Sequence, residues 1–227
     1  MEPSILRNLL LGLGLLPGLL PGLLLMVSGG LALSGCSSTG NDAAGKDTRN
    51  KLLVSVRDQR MMLLRDGKPI KTYPISTSKF GLGSQVGSNR TPLGSMEIAR
   101  KIGDGQPMGM VFKGRRPTGE ILEANAPGRD PIVSRILWLN GKDRHNRNTF
   151  SRLIYIHGTP EEWRLGRPAS YGCIRMGMRD VVDLYNRVGE GAEVTVIRES
   201  LLHARKGRGN TRERLGDPDH LGFALSE

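Results

Sequence analysis

Short apolar runs separated by turn residues constrain this chain more than any other feature. Leu52–Val56, Arg60–Leu64, Ile70–Ser76, Met96–Ile102, Ile132–Leu139, Leu153–Ile156 and Ala192–Ile197 are rich in Val, Ile, Leu and Met. Each is too short for an ordinary helix and suits a strand. Asp66-Gly67 and Asn140-Gly141 read as tight turns. One segment has helical spacing: Val181, Leu184, Tyr185 and Val188, with Gly189 as a stop. The expected class is mainly β with α decoration, in one domain over 51–198. Residues 78–95 form a Gly/Ser-rich loop whose Gly81-Leu82-Gly83 start invites a dinucleotide-binding reading. Val86 stands where the third glycine belongs, and the strand-then-helix context is missing, so that reading fails. Thr91-Pro92-Leu93-Gly94 reads as a turn into the next strand. Residues 103–131 read as loop, with Lys113-Gly114-Arg115-Arg116 a solvated basic cluster.

The ends differ from this core. Residues 9–26 are almost wholly apolar and follow Arg7, and Leu33-Ser34-Gly35-Cys36 comes next. A basic flank, an apolar run and small residues before a cut point make an export signal over 1–35. The sequence ending in Cys36 resembles a bacterial lipobox, which implies a lipid on Cys36 and a membrane-held protein. A transmembrane anchor is the competing reading, disfavoured by the repeated Pro and Gly. Residues 36–50 are small and polar and read as a tether, 199–227 as a loosely ordered tail.

Residues 51–198 hold 25 basic and 14 acidic side chains, which accounts for the whole net charge of +11. A basic domain behind an export signal suits a polyanionic neighbour in the envelope. Nucleic acid does not fit that compartment or an aromatic content of 4%. The chain has two cysteines, Cys36 and Cys173. With Cys36 lipidated, Cys173 has no disulfide partner in the chain, so a free thiol in an exported protein asks for a chemical reason.

That reason lies in Arg152–Met176. His157 ends an apolar, β-prone run, and Cys173 follows between Gly172 and Ile174, with Arg175 two residues on. A thiol attacks as thiolate and needs a base, and His157 is the available imidazole. The Gly158 carbonyl is expected to fix its tautomer. The backbone N–H groups of Tyr171, Gly172 and Cys173 can converge on an oxyanion if Gly172 turns the chain. Arg175 lies on the same side as Cys173 if 173–175 is extended, which suits a substrate carboxylate. His145, alone in a charged loop, reads as exposed and neutral in function.

His157-Gly158-Thr159, a loop, and then Ser170-x-Gly172-Cys173-Ile174-Arg175-Met176 resemble the L,D-transpeptidase (YkuD) catalytic domain. The resemblance covers 51–198. It implies a β-sandwich-like domain that joins peptidoglycan stem peptides through a Cys173 thioester. It implies His157 as base and acid, Gly158 as orienter, and Ser170, Tyr171, Gly172 and Arg175 around oxyanion and substrate, with no metal or cofactor. The amine acceptor would be a second stem peptide or a wall-anchored lipoprotein. With water in its place the protein is an L,D-carboxypeptidase. The family often has His where this chain has Tyr171. A sortase-like enzyme shares the His–Cys–Arg order, but the Cys173-x-Arg175 spacing argues against it. A non-catalytic wall-binding lipoprotein needs no reactive thiol. The place implied is the periplasmic side of the envelope. Ser37, where some lipoproteins carry an inner-membrane aspartate, favours the outer membrane.

Overall fold

The computed structural model describes residues 45–204. Its strands are β1 (Asn50–Ser55), β2 (Arg60–Arg65), β3 (Lys68–Ser76), β4 (Gly94–Ile102), β5 (Met110–Lys113), β6 (Arg116–Ile121), β7 (Ile132–Gly141), β8 (Tyr155–Gly158), β9 (Ile174–Met176) and β10 (Glu193–Ile197). One helix of ten residues, α1 (Met178–Arg187), lies between β9 and β10. The expected class, mainly β with α decoration, is what the chain adopts.

The ten strands make one sheet in the order β4-β10-β1-β2-β3-β9-β8-β7-β5-β6, and β4 also pairs with β7. That pairing closes the sheet on itself and leaves β5–β6 as a hairpin attached to β7. Closure hides strand edges that would otherwise invite another chain. Strand alternation decides what faces inward. Leu52 and Val54, Met61 and Leu63, Leu137 and Leu139, and Val194 and Val196 all join one buried cluster, and α1 adds Val181, Leu184 and Tyr185.

Asp66 and Gly67 turn β2 into β3 with φ of 51° and 76°, the positive pair that a tight primed hairpin turn needs. Several expected boundaries differ. The stretch 103–131 is not all loop: Met110–Lys113 and Arg116–Ile121 pair across a turn at Gly114-Arg115, φ 58° and 67°. Every residue of β6 is exposed, so no alternation marked it. Asn140-Gly141 is not a turn but the end of β7, paired to Met96 and Glu97 of β4. Gly141 is needed there because a Cβ would collide with the Asn146 carbonyl. The strand before the site begins at Tyr155, two residues later than the apolar run, because Leu153 has φ 58°. His157 is therefore inside β8 and Gly158 ends it. Residues 45–50, assigned by composition to the tether, include Asp47, whose carboxylate accepts from the N–H groups of Asn50 and Gly189. At the other end Leu201 is buried against Leu53 and Met62. The expected signal, Cys36 and the far tail lie outside the described residues.

Candidate active site

Alternation again decides the site. In the parallel pair β8–β9, Ile156 stands opposite Ile174, His157 opposite Arg175, and Gly158 opposite Met176. Ile156, Ile174 and Met176 point into the main core. The odd-numbered strand residues Tyr155, His157 and Arg175 then share the other face, and Cys173, just before β9, packs on the cluster that contains Tyr155. The two cross-strand neighbours of that face are backed by a bulge in β7 between Val133 and Ile136. A bulge beside a site re-aims the chain locally.

The His157 ring is buried, and its Nδ1 lies 2.8 Å from the Gly158 carbonyl oxygen. A carbonyl only accepts, so Nδ1 carries the proton and Nε2 of the neutral ring carries the lone pair. Burial holds the imidazole below its ordinary pKa, opposed by the Gly158 carbonyl and by Asp130, while Arg175 lowers it further. Gly158 has no room for a side chain: a Cβ would sit 2.6 Å from the Val133 carbonyl oxygen and 3.0 Å from Val181.

Cys173 as a residue is half-buried, but its sulfur is enclosed. The Tyr155 N–H donates to Sγ at 3.4 Å, and Sγ lies 3.5 Å from the Leu153 carbonyl oxygen. It packs on the small apolar cluster of Met110, Phe112, Ile136 and Tyr155. Burial pushes the thiol up to about 11, against the Tyr155 N–H and the nearby Arg152 guanidinium, which favour the thiolate. Arg152, which the sequence did not single out, also donates to the carbonyls of Gly83 and Arg90, so it ties the 83–90 loop to the thiol's surroundings.

The turn before Cys173 is held by two hydroxyls. Ser170 Oγ donates to the Cys173 carbonyl at 2.6 Å and accepts from the Gly172 N–H at 3.3 Å. Thr91 Oγ1 donates to the Gly172 carbonyl at 2.9 Å. Gly172 has φ 119°, which side-chain-bearing residues rarely adopt. Of the three N–H groups expected to converge on an oxyanion, the Gly172 N–H thus points at Ser170. Tyr171 projects outward, 63% exposed, and its hydroxyl is 2.9 Å from Lys79 Nζ. Lys79 holds that phenol below its usual range.

Arg175 is on the expected face but its guanidinium is buried, ion-paired to Asp130 and, at 3.1 Å, to Glu161. Asp130 also accepts from the Thr159 hydroxyl, tying the loop after β6 to the end of β8. Glu161, Asp130 and Arg152 carried no motif signal, since each acts through residues distant in sequence. The basic cluster 113–116 is partly drawn in as well. Arg115 lies 4.8 Å above the Trp138 ring and donates to the Tyr155 hydroxyl at 3.3 Å. His145 is exposed, its Nε2 3.1 Å from the Leu93 carbonyl oxygen.

Fold and site together define a class: a closed β-sheet domain with a neutral imidazole on β8 and an enclosed thiol bonded to the same strand at Tyr155. The family model for the L,D-transpeptidase catalytic domain (YkuD) matches residues 49–196. The chain belongs to that family. Putative L,D-transpeptidase YkuD of Bacillus subtilis is 26% identical over 148 residues, 65% of this chain and 65% of that protein. Putative L,D-transpeptidase YqjB of the same organism is 24% identical over 147 residues, 64% of this chain and 69% of that protein. The chain thus spans just under two thirds of the YkuD relative's length. Among solved structures, an L,D-transpeptidase from Mycobacterium smegmatis is 16% identical with a TM-score of 0.43, covering 66% of this chain and 58% of that one.

Proposed function

We propose that this chain is a peptidoglycan L,D-transpeptidase that works through a thioester on Cys173. The observation that supports the reading is that Cys173 Sγ, just before β9, accepts from the Tyr155 N–H of β8, the strand that carries His157, whose Nδ1 is committed to the Gly158 carbonyl. That leaves Nε2 as the base. With the thiol near 11 and the imidazole neutral, the resting pair is uncharged. The proton therefore moves from Sγ to Nε2 as Sγ attacks, in general base catalysis rather than from a standing ion pair.

The attacked carbonyl belongs to the stem peptide, between the L-centre of its diamino acid and terminal D-alanine. The tetrahedral intermediate is held by the backbone N–H groups of Tyr171 and Cys173, since that of Gly172 is given to Ser170. As it collapses, the C–N bond breaks and His157 returns the proton to the D-alanine amine. The acceptor amine then attacks the thioester, gives its proton to His157, and the thiolate leaves and is reprotonated. Gly158 orients His157, and Ser170 shapes the turn. Arg175 acts as a strut for the Asp130 and Glu161 loops. Export, lipid on Cys36 and a place in the periplasmic envelope complete the proposal. They rest on the N-terminal sequence and are tested by labelled-palmitate incorporation, which Cys36→Ala should abolish.

The central test is the intact mass after incubation with a carbapenem, an acylating β-lactam. We expect one covalent adduct, absent in Cys173→Ser and formed at least about a hundredfold more slowly in His157→Ala, the usual size of a general-base contribution. An adduct that survives Cys173→Ser, or full reactivity in His157→Ala, overturns the mechanism.

A further inference from the structure

With Arg175 occupied by two carboxylates, the carboxylate-rich substrate needs other cations. The outer surface beside the Cys173 turn supplies them. Lys79, whose N–H bonds the Ser170 carbonyl, extends its Nζ 4.2 Å above the Tyr171 ring and 5.3 Å above Phe80. On the other side Arg164 and Arg167 stack on Trp163 at 4.6 and 5.1 Å. Trp163 is 58% exposed and Phe80 45%, large apolar areas that neighbouring side chains leave open to solvent. Between the two groups lies an open depression of about 280 Å³, lined by Lys79, Trp163, Arg164, Arg167, Pro168 and Ala169. Its lining residues include no acid, and Glu161, 3.4 Å from Arg164 Nε, is already paired to Arg175. The depression therefore presents a positive surface with the Trp163 ring in its lining and the Tyr171 ring beneath Lys79, next in sequence to Ser170.

We propose that Lys79, Arg164 and Arg167, with the rings of Trp163 and Tyr171, form a binding shelf for the carboxylates of an acidic wall peptide, feeding it to Cys173. Cations stacked on aromatic faces keep their outward N–H groups for a carboxylate, and the rings cover the peptide's apolar stem. This rests on the transpeptidase reading and names how that site selects its substrate.

The probes are a synthetic stem tetrapeptide with free internal carboxylates and the same peptide with those carboxylates amidated. Binding is measured by calorimetry on the full chain carrying Cys173→Ala, so that no peptide is consumed. The Lys79→Gln/Arg164→Gln/Arg167→Gln variant on that background is compared at matched melting temperature. The free-carboxylate peptide is expected to bind about tenfold more weakly to the triple variant, and the preference over the amidated peptide to vanish. Unchanged affinity, absence of binding to the parent, or equal binding of both peptides to the parent overturns the shelf. Thioester formation by the unsubstituted chain is read separately by mass. Shelf-dependent binding without any thioester keeps the shelf and removes the transpeptidase; a thioester with shelf-independent binding does the reverse.

Discussion

Burial gives the reactivity of Cys173 a steep pH dependence. Its thiol is neutral through the physiological range because burial outweighs the Tyr155 N–H and Arg152. Below a thiol's pKa the thiolate fraction rises about tenfold per pH unit. Alkylation of Cys173 by iodoacetamide, followed on its own peptide to separate it from Cys36, should climb on that slope to about pH 10 and level off near 11. Removing a cation from beside a thiolate raises the pKa, so Arg152→Met should push the levelling point higher; a point that stays put would remove Arg152 from the thiol's electrostatics. Gly158 tests sterics in the same way. Its replacement by Ala drives a methyl into the Val133 carbonyl and Val181. Overpacking of this kind costs about 1–3 kcal/mol. The urea midpoint should fall accordingly, and an unaltered midpoint would mean that β8 gives way without strain. His157 and Cys173 were legible as candidates because each sits in a local context with its own signal. Arg175 shows the limit: its charge was visible, but its partners Asp130 and Glu161 belong to loops whose approach is fixed only by the sheet.

Strands with clear alternation were legible one by one. β1, β2, β3, β4, β7 and β10 follow their apolar runs, and α1 follows its spacing. The hairpin β5–β6 was not, since β6 buries nothing and β5 has only Met110, Val111 and Phe112 to show. β9, three residues long, has no period to read. Yet these are the elements that make the site: β9 carries the residues after Cys173, and β5 supplies Met110 and Phe112 to its apolar wall. A candidate site assembled from short elements shows its candidate residues in the sequence and hides its walls, because walls are long-range contacts. Phe112→Ala probes the wall directly. Truncating a buried Phe costs about 3–5 kcal/mol, and water admitted beside Sγ weakens the desolvation that holds the thiol up. A lower urea midpoint should come with faster alkylation of Cys173 near neutral pH. Loss of stability with no gain in alkylation would show that Phe112 supports the hairpin without shielding the sulfur.

At the scale of the whole molecule, closure of the sheet depends on where the chain enters it. β1 lies between β10 and β2, so the residues leading into β1 meet those leaving α1. Asp47 makes that junction. Its carboxylate accepts from the N–H groups of Arg49, Asn50 and Gly189 and from the Asn50 side chain, and Asn50 in turn donates to the Arg187 carbonyl. The Asp47 N–H completes the lock on the Glu190 carbonyl at 2.7 Å. Burial alone would raise the Asp47 pKa, but the bonds from Gly189, Asn50 and Arg49 outweigh it and hold the carboxyl below its ordinary 3.8. A group whose pKa is lower folded than unfolded contributes stability that is complete above the unfolded value and lost as pH falls through the folded one. The wild-type chain should therefore lose part of its stability below about pH 4, as Asp47 takes up its proton. Asp47→Ala should lower the melting temperature at pH 7 by several degrees, about 1–2 kcal/mol for a domain of this size. The difference between variant and wild type should then shrink toward pH 3, as protonation of the unfolded chain removes the advantage of the charged carboxyl. If the two curves stay parallel from pH 7 to pH 3, the junction is held by the Asp47 backbone and Asn50 alone, and the carboxylate contributes nothing to closing the sheet.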